Sequence, residues 1–112
     1  MIKSINNSEH YKWGDNCDGW FLLNKPNLSV IQEKMPPGTS EHRHFHTHSQ
    51  QLFYILSGTA TIEIDGSLFK LDIGESLHIE KGSNHYIANL EKIPLEFLVI
   101  SEPHSHGDRT NI

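Results

Sequence analysis

At 112 residues the chain has room for one domain with one core, about two-thirds of its unfolded surface being buried at that size. Nine Lys and Arg against 14 Asp and Glu give a formal charge of −5, which excludes a basic nucleic-acid groove, and Cys17 alone excludes a disulfide framework or a Cys-rich zinc module. Histidine occurs nine times, and no apolar run approaches the roughly 18 residues needed to span a bilayer.

Along the chain the apolar pattern has period two. Residues 1–19 are polar, with none of the character of a secretory signal, and an intracellular location is expected. Trp20-Phe21-Leu22-Leu23 and Leu28-Ser29-Val30-Ile31 are short strand-like runs. Pro36-Pro37-Gly38 marks a turn, and a His-rich stretch follows. Leu52-Phe53-Tyr54-Ile55-Leu56 is a third run, ended by Ser57-Gly58. Ala60, Ile62 and Ile64 then alternate with polar residues up to Asp65-Gly66, a two-residue hairpin signal because both positions need positive φ. Gly74 and Lys81-Gly82-Ser83-Asn84 mark further turns, and Leu95 to Ile100 forms the last run. No segment has helical periodicity. Frequent turns between short strands predict an all-β sandwich or small barrel of two antiparallel sheets. We expect a single domain over 1–112 with a core over about residues 20–101, an N-terminal strand region over 1–19 and a polar tail over 102–112, residues 1–16 and 102–112 being loose or ordered by a neighbour.

Six of the nine histidines fall in two groups, Glu41-His42-Arg43-His44-Phe45-His46-Thr47-His48 and His104-Ser105-His106. On an extended segment, residues i and i+2 share a face, so all four histidines of the first group can point one way and two can reach one metal ion. A His-rich surface strand is the bland alternative.

The spacing around the first group is more specific. Gly38, His44, His46, Gln51 and Gly58 follow G-x5-H-x-H-x4-Q-x6-G, and Gly74, Glu80, Gly82, His85 and Asn89 follow G-x5-E-x-G-x2-H-x3-N. This resembles the two signature motifs of the cupin superfamily, G-x5-H-x-H-x3–4-E-x6-G and G-x5-P-x-G-x2-H-x3-N. The resemblance covers residues 38–89 and implies a small single-domain jelly-roll barrel.

It also implies that His44, His46, His85 and Gln51 bind one divalent transition metal, with Ni, Zn, Fe, Co, Cu and Mn not distinguished. Two departures stand out. Glu80 replaces a turn proline, and Gln51 replaces the usual glutamate. A neutral amide leaves the ion a stronger Lewis acid and disfavours oxidation of Fe²⁺, which favours non-redox chemistry. Cupins with glutamine there include isomerase-type enzymes acting on keto acids or ring-opened uronic sugars. The uronate-opening members place an acid and an arginine near the last strand, where this chain has Leu98 and His104. Small cupins are usually homodimers, and apolar residues of both parities in Leu52–Leu56 and Leu95–Ile100 suit strands covered on both faces.

The expected function is therefore a metal-dependent isomerase or lyase with a small-molecule ligand in the barrel. An Fe-dependent dioxygenase and a non-catalytic metal or ligand module are the alternatives. Phe53 and Ile55 should share the face of Gln51, leaving a largely apolar pocket with few acid–base residues. An idle polar tail is expected over residues 102–112, the alternative being that Arg109 or His104 folds over the barrel mouth to hold a substrate carboxylate.

Overall fold

A computed structural model describes residues 1–112 as twelve β-strands with no helix, so no helix is long and apolar enough to cross a membrane. In chain order they are β1 (Glu9–Trp13), β2 (Cys17–Lys25), β3 (Leu28–Met35), β4 (Thr39–Ser40), β5 (His44–Phe45) and β6 (Gln50–Ser57). Next come β7 (Ala60–Ile64), β8 (Ser67–Leu71), β9 (Ser76–Ile79), β10 (His85–Asn89), β11 (Leu95–Glu102) and β12 (Thr110–Asn111). One sheet has the order β1-β2-β3-β11-β6-β9 and the other β12-β5-β10-β7-β8, with β4 also on β10. All pairs are antiparallel, as the all-β jelly-roll expectation requires.

The period-two pattern decides which face each strand turns inward. Met35, Phe53, Ile55, Leu95, Phe97 and Val99 form one buried cluster with Ala60, Ile62 and Ile87 of the other sheet. The alternate residues of β6, Tyr54 and Leu56, are exposed. Truncation of Phe97, which is wholly buried, would cost about 3–5 kcal/mol. The predicted hairpin forms at Asp65 (φ 48°) and Gly66 (φ 90°), joining β7 to β8 with Ile64 opposite Ser67.

Two motif positions serve the framework. Gly58 has φ 84°, and a Cβ there would lie 2.5 Å from the Pro94 carbonyl oxygen. Buried Asn89 donates from Nδ2 to the carbonyls of Met35 (3.0 Å) and Ile93 (2.8 Å) and accepts the Glu91 N–H (3.1 Å). It thereby ties the end of β10 to β3 in the opposite sheet. Glu80, at the family's proline position, is exposed.

The ends are ordered by the chain itself. β1 pairs with β2 over Glu9↔Phe21 to Trp13↔Cys17, and β12 pairs with β5 through Thr110↔Phe45 and Asn111↔His44. The C-terminal segment thus leaves one sheet at β11, crosses the barrel mouth and adds a strand to the other.

Candidate metal centre and pocket

β5 and β10 set His44 directly opposite His85. β5 is shorter than the extended His segment expected from sequence. The chain bends at 46–48, yet the alternation holds far enough to turn His46 inward as well. His44, His46 and His85 are 2%, 5% and 1% exposed, whereas His42 and His48 are exposed. The ring centroids lie 4.3–5.4 Å apart, and one nitrogen from each ring falls within 4.8 Å of the others, so the three could hold a metal ion.

The hydrogen bonds fix the ring orientation. His44 Nδ1 donates to the His42 carbonyl (2.7 Å), His85 Nδ1 to the Ser83 carbonyl (2.9 Å), and His46 Nδ1 to the Asp108 carbonyl. A carbonyl only accepts, so each Nδ1 carries the proton and each Nε2 keeps a free lone pair. Nε2 of His46 and of His85 are buried without a partner. Burial pushes His44 down to about 3 and His85 to about 4, and lowers His46 against the pull of Asp108. All three are neutral at physiological pH, the state a metal needs.

Gln51 lies on β6, in the opposite sheet, 6% exposed. Its Nε2 donates to Ser101 Oγ (3.0 Å), and its Oε1 is buried with no partner. Orphaned buried acceptors are rare because each costs about 1–3 kcal/mol. Unsatisfied acceptor atoms on His46 and Gln51, which line one pocket, and on His85, clustered with His44 and His46, fit a cation of the nitrogen- and oxygen-binding kind.

The pocket beside these residues encloses about 270 Å³. Phe53, Val99 and Ile31 give it an apolar floor; of the two residues expected from the face of Gln51, Phe53 lines it and Ile55 lies in the core, and the rest of the lining is mostly polar. The expectation of few acid–base residues is not met. Glu33 on β3, Glu41 before β5 and Tyr11 on β1 all line it.

Their placement depends on a row across three strands. Tyr11 pairs with Gly19, and Gly19 pairs with Glu33. A Cβ on Gly19 would fall on the Tyr11 ring, so the missing side chain lets the ring lie across β2. Tyr11 Oη then donates to Glu33 Oε2 (2.8 Å). Glu41 Oε1 accepts the Ile87 N–H (3.0 Å), while its Oε2 faces Arg109 at 3.7 Å. Burial pushes Glu33 up to about 7, against the Tyr11 hydrogen bond. Burial, then the neighbouring Glu33, pushes Glu41 up to about 8 despite Arg109. Burial and Glu33 also raise Tyr11 above the ordinary phenol range.

The tail forms the remaining wall. Ser105, His106, Gly107 and Arg109 line the pocket, and His106 packs on Tyr11 and Phe21 at 5.5 and 5.1 Å. Arg109 is engaged by Glu41 and by the His42 carbonyl (3.3 Å). Trp13 also lines the pocket and donates to the Asp18 carbonyl (3.1 Å), while Trp20 packs against His10. Periodicity could not place Glu33, Glu41 or Tyr11, because strand order brings them to the motif. The one local signal was a glycine, Gly19, inside a strand pattern.

Residues 31–101 match the sequence profile of the cupin domain. An uncharacterised protein of Methanocaldococcus jannaschii is 31% identical over 81 residues, which are 71% of this chain and 65% of that protein. Mannose-1-phosphate guanylyltransferases of Klebsiella pneumoniae and Vibrio cholerae match over 18% and 14% of their lengths, so the chain spans less than two-thirds of these curated relatives. A predicted oxalate decarboxylase from Thermotoga maritima superposes with a TM-score of 0.84 at 22% identity, covering 93% of this chain and all of that one. Pac13, a nucleoside dehydratase, superposes with a TM-score of 0.80 at 16% identity, covering 100% of this chain and 90% of its own.

Proposed function

The chain belongs to the cupin family, and from that premise we propose a metal-dependent enzyme of the isomerase or lyase type. Its ligands to one divalent transition ion are His44, His46, His85 and Gln51, and its substrate is a small oxygenated acid or sugar derivative. One observation carries this reading. Orphaned acceptor atoms on His46 and Gln51, with that of His85 packed behind His44 and His46, lie at the same pocket as two half-buried carboxyls held above their ordinary range.

The ion, when bound, supplies Lewis acidity to a carbonyl or hydroxyl oxygen. None of the four ligands carries charge, which favours polarisation over oxygen activation. The other wall handles protons. Glu41, pushed up to about 8, keeps its proton at neutral pH and presents Oε2 next to Arg109. Glu33, pushed to about 7, stands near the midpoint of its titration with Tyr11 hydrogen-bonded to it. A donor and an acceptor placed opposite a polarised carbonyl suit proton transfer at the neighbouring carbon, a contribution of roughly 10²–10⁴-fold. Pac13 is described as a dehydratase, so a related fold carries lyase chemistry, and that supports the reading by analogy only.

Metal analysis of tag-free protein, then turnover of keto acids and uronates with and without oxygen, tests it. Stoichiometric metal and oxygen-independent turnover are expected. Oxygen uptake would transfer the protein to the dioxygenases, ligand binding without turnover to the binding modules, and absence of metal would overturn both enzyme readings. His46→Ala should lose the metal.

We further propose a homodimer through the outer face of the larger sheet. Val30, Ile100 and Leu52 lie side by side across β3, β11 and β6, as do Gln32, Leu98 and Tyr54. This apolar strip crosses three central strands and can meet a second copy about a two-fold axis. Light scattering should give twice the chain mass, and Leu98→Lys should halve it.

A further inference from the structure

Two of the three inward-facing imidazoles are oriented by their own neighbourhood. His44 and His85 each donate Nδ1–H to the carbonyl two residues before them. His46 differs. It lies past the end of β5, and its Nδ1–H goes to the carbonyl of Asp108, 62 residues away.

The Asp108 side chain grips the same bend. Its Oδ1 accepts the Thr47 N–H (2.9 Å), and its Oδ2 accepts those of His48 (2.9 Å) and Ser49 (3.0 Å). One residue therefore fixes both the backbone just after His46 and the tilt of the His46 ring. Asp108 is itself anchored. Its N–H donates to the Ser105 carbonyl (2.9 Å), Ser49 Oγ donates to the Pro103 carbonyl (2.7 Å), and β12 follows two residues later.

We propose that Asp108 is a positioning residue for the metal, through which the C-terminal segment sets the geometry of His46. This rests on the metal reading of His44, His46 and His85. With Asp108 in place, the third imidazole is presented ready to bind. Without the carboxylate, the N–H groups of residues 47–49 lose three hydrogen bonds, and the main-chain carbonyl of residue 108 that receives the His46 proton is no longer held against the bend. The same segment carries Ser105, His106 and Arg109 into the pocket. Pocket shape and metal affinity are then set by one stretch of chain.

The test titrates Co²⁺ into metal-free, full-length protein, reading both affinity and the visible ligand-field bands. Asp108→Ala should weaken Co²⁺ about 10- to 100-fold and change the band intensity. Asp108→Asn, which keeps an acceptor oxygen of the same size, should fall between. Asp72→Ala is the control for a lost turn contact. Asp72 accepts Thr59 Oγ1 at the opposite end of β7, so this variant should stay within about twofold of wild type. Thermal melts of the metal-free proteins separate stability from affinity. If Asp108→Ala melts early but binds Co²⁺ within about twofold of wild type, Asp108 is structural only and the proposal falls. Should Asp108→Ala fail to fold, Asp108→Asn decides by the same measure, an affinity within twofold again overturning it. A wild-type protein that takes up no Co²⁺ defeats the metal reading and this proposal together. Wild-type uptake with unaffected Asp108 variants defeats this proposal alone.

Discussion

The pocket has two titratable walls that burial treats alike and chemistry uses differently. On one, His44 and His85 are driven down to about 3 and 4 and stay neutral, as ligands must. On the other, Glu33 and Glu41 are driven up to about 7 and 8 and stay at least partly protonated, as acids must. The histidine wall is oriented by backbone carbonyls, those of His42 and Ser83 just before β5 and β10 and that of Asp108 in the C-terminal segment. The carboxylate wall is oriented largely by side chains, Tyr11 and Arg109, which are free to respond to a ligand. The difference teaches that one desolvated cavity can furnish both a metal cradle and a proton reservoir, provided the groups differ in the charge they lose.

The largest effect should come from breaking the first wall. His85→Ala should abolish stoichiometric metal, with occupancy below about a tenth by elemental analysis, because two imidazoles and an amide are too few donors. Breaking the second wall alone should separate the functions. Glu41→Gln should keep full metal occupancy and lower turnover of the assigned substrate by roughly 10²–10⁴-fold. Equal loss of metal would show that the walls are one unit. Next, Gly19→Ala should push the Tyr11 ring off β2 and cost about 1–3 kcal/mol by denaturant unfolding, again with metal retained.

The smallest effect is a pH profile for the metal-free protein. Histidines with lowered values bind fewer protons when folded, so their contribution is whole above about 6.5 and is lost as pH falls toward 4 and 3. Glu33 and Glu41, with raised values, bind more protons when folded, so theirs is whole below about 4.5 and is lost as pH rises through about 7 and 8. Between about pH 4.5 and 6.5 the two trends oppose each other, so thermal melts should show a broad maximum across that range and fall on either side, and Glu33→Gln with Glu41→Gln should move the maximum to higher pH and flatten the alkaline limb.

Much of the first wall was legible in the sequence, and little of the second. Two-residue alternation put His42, His44, His46 and His48 on one face, and the resemblance to the cupin motifs singled out His44, His46, His85 and Gln51, because a short motif records local geometry and regular connections. Alternation alone could not say where β5 ends, so it left His42 and His48 eligible. The structure settles that with the bend held by Asp108, far along the chain. Nothing in the sequence pattern singles out Glu33 or Glu41. Only the order β1-β2-β3 and the cross-sheet packing bring Tyr11 and Glu33 to the same cavity as Glu41. The tail read as idle polar residues for the same reason. Its purpose lies in partners some sixty residues away.

The distribution of inward-facing donors over the two sheets has a mechanical consequence. His44 and His85 belong to one sheet and Gln51 to the other, at the mouth of the barrel. An ion that engages Gln51 is a rivet joining the layers, and one that ignores it is a passenger on a single layer. Metal bound at a thousand times its dissociation constant adds about 4 kcal/mol in either case. Hydrogen exchange separates the two. A rivet slows amide exchange in β6 and β11 as well as in β10, whereas a passenger protects β10 alone.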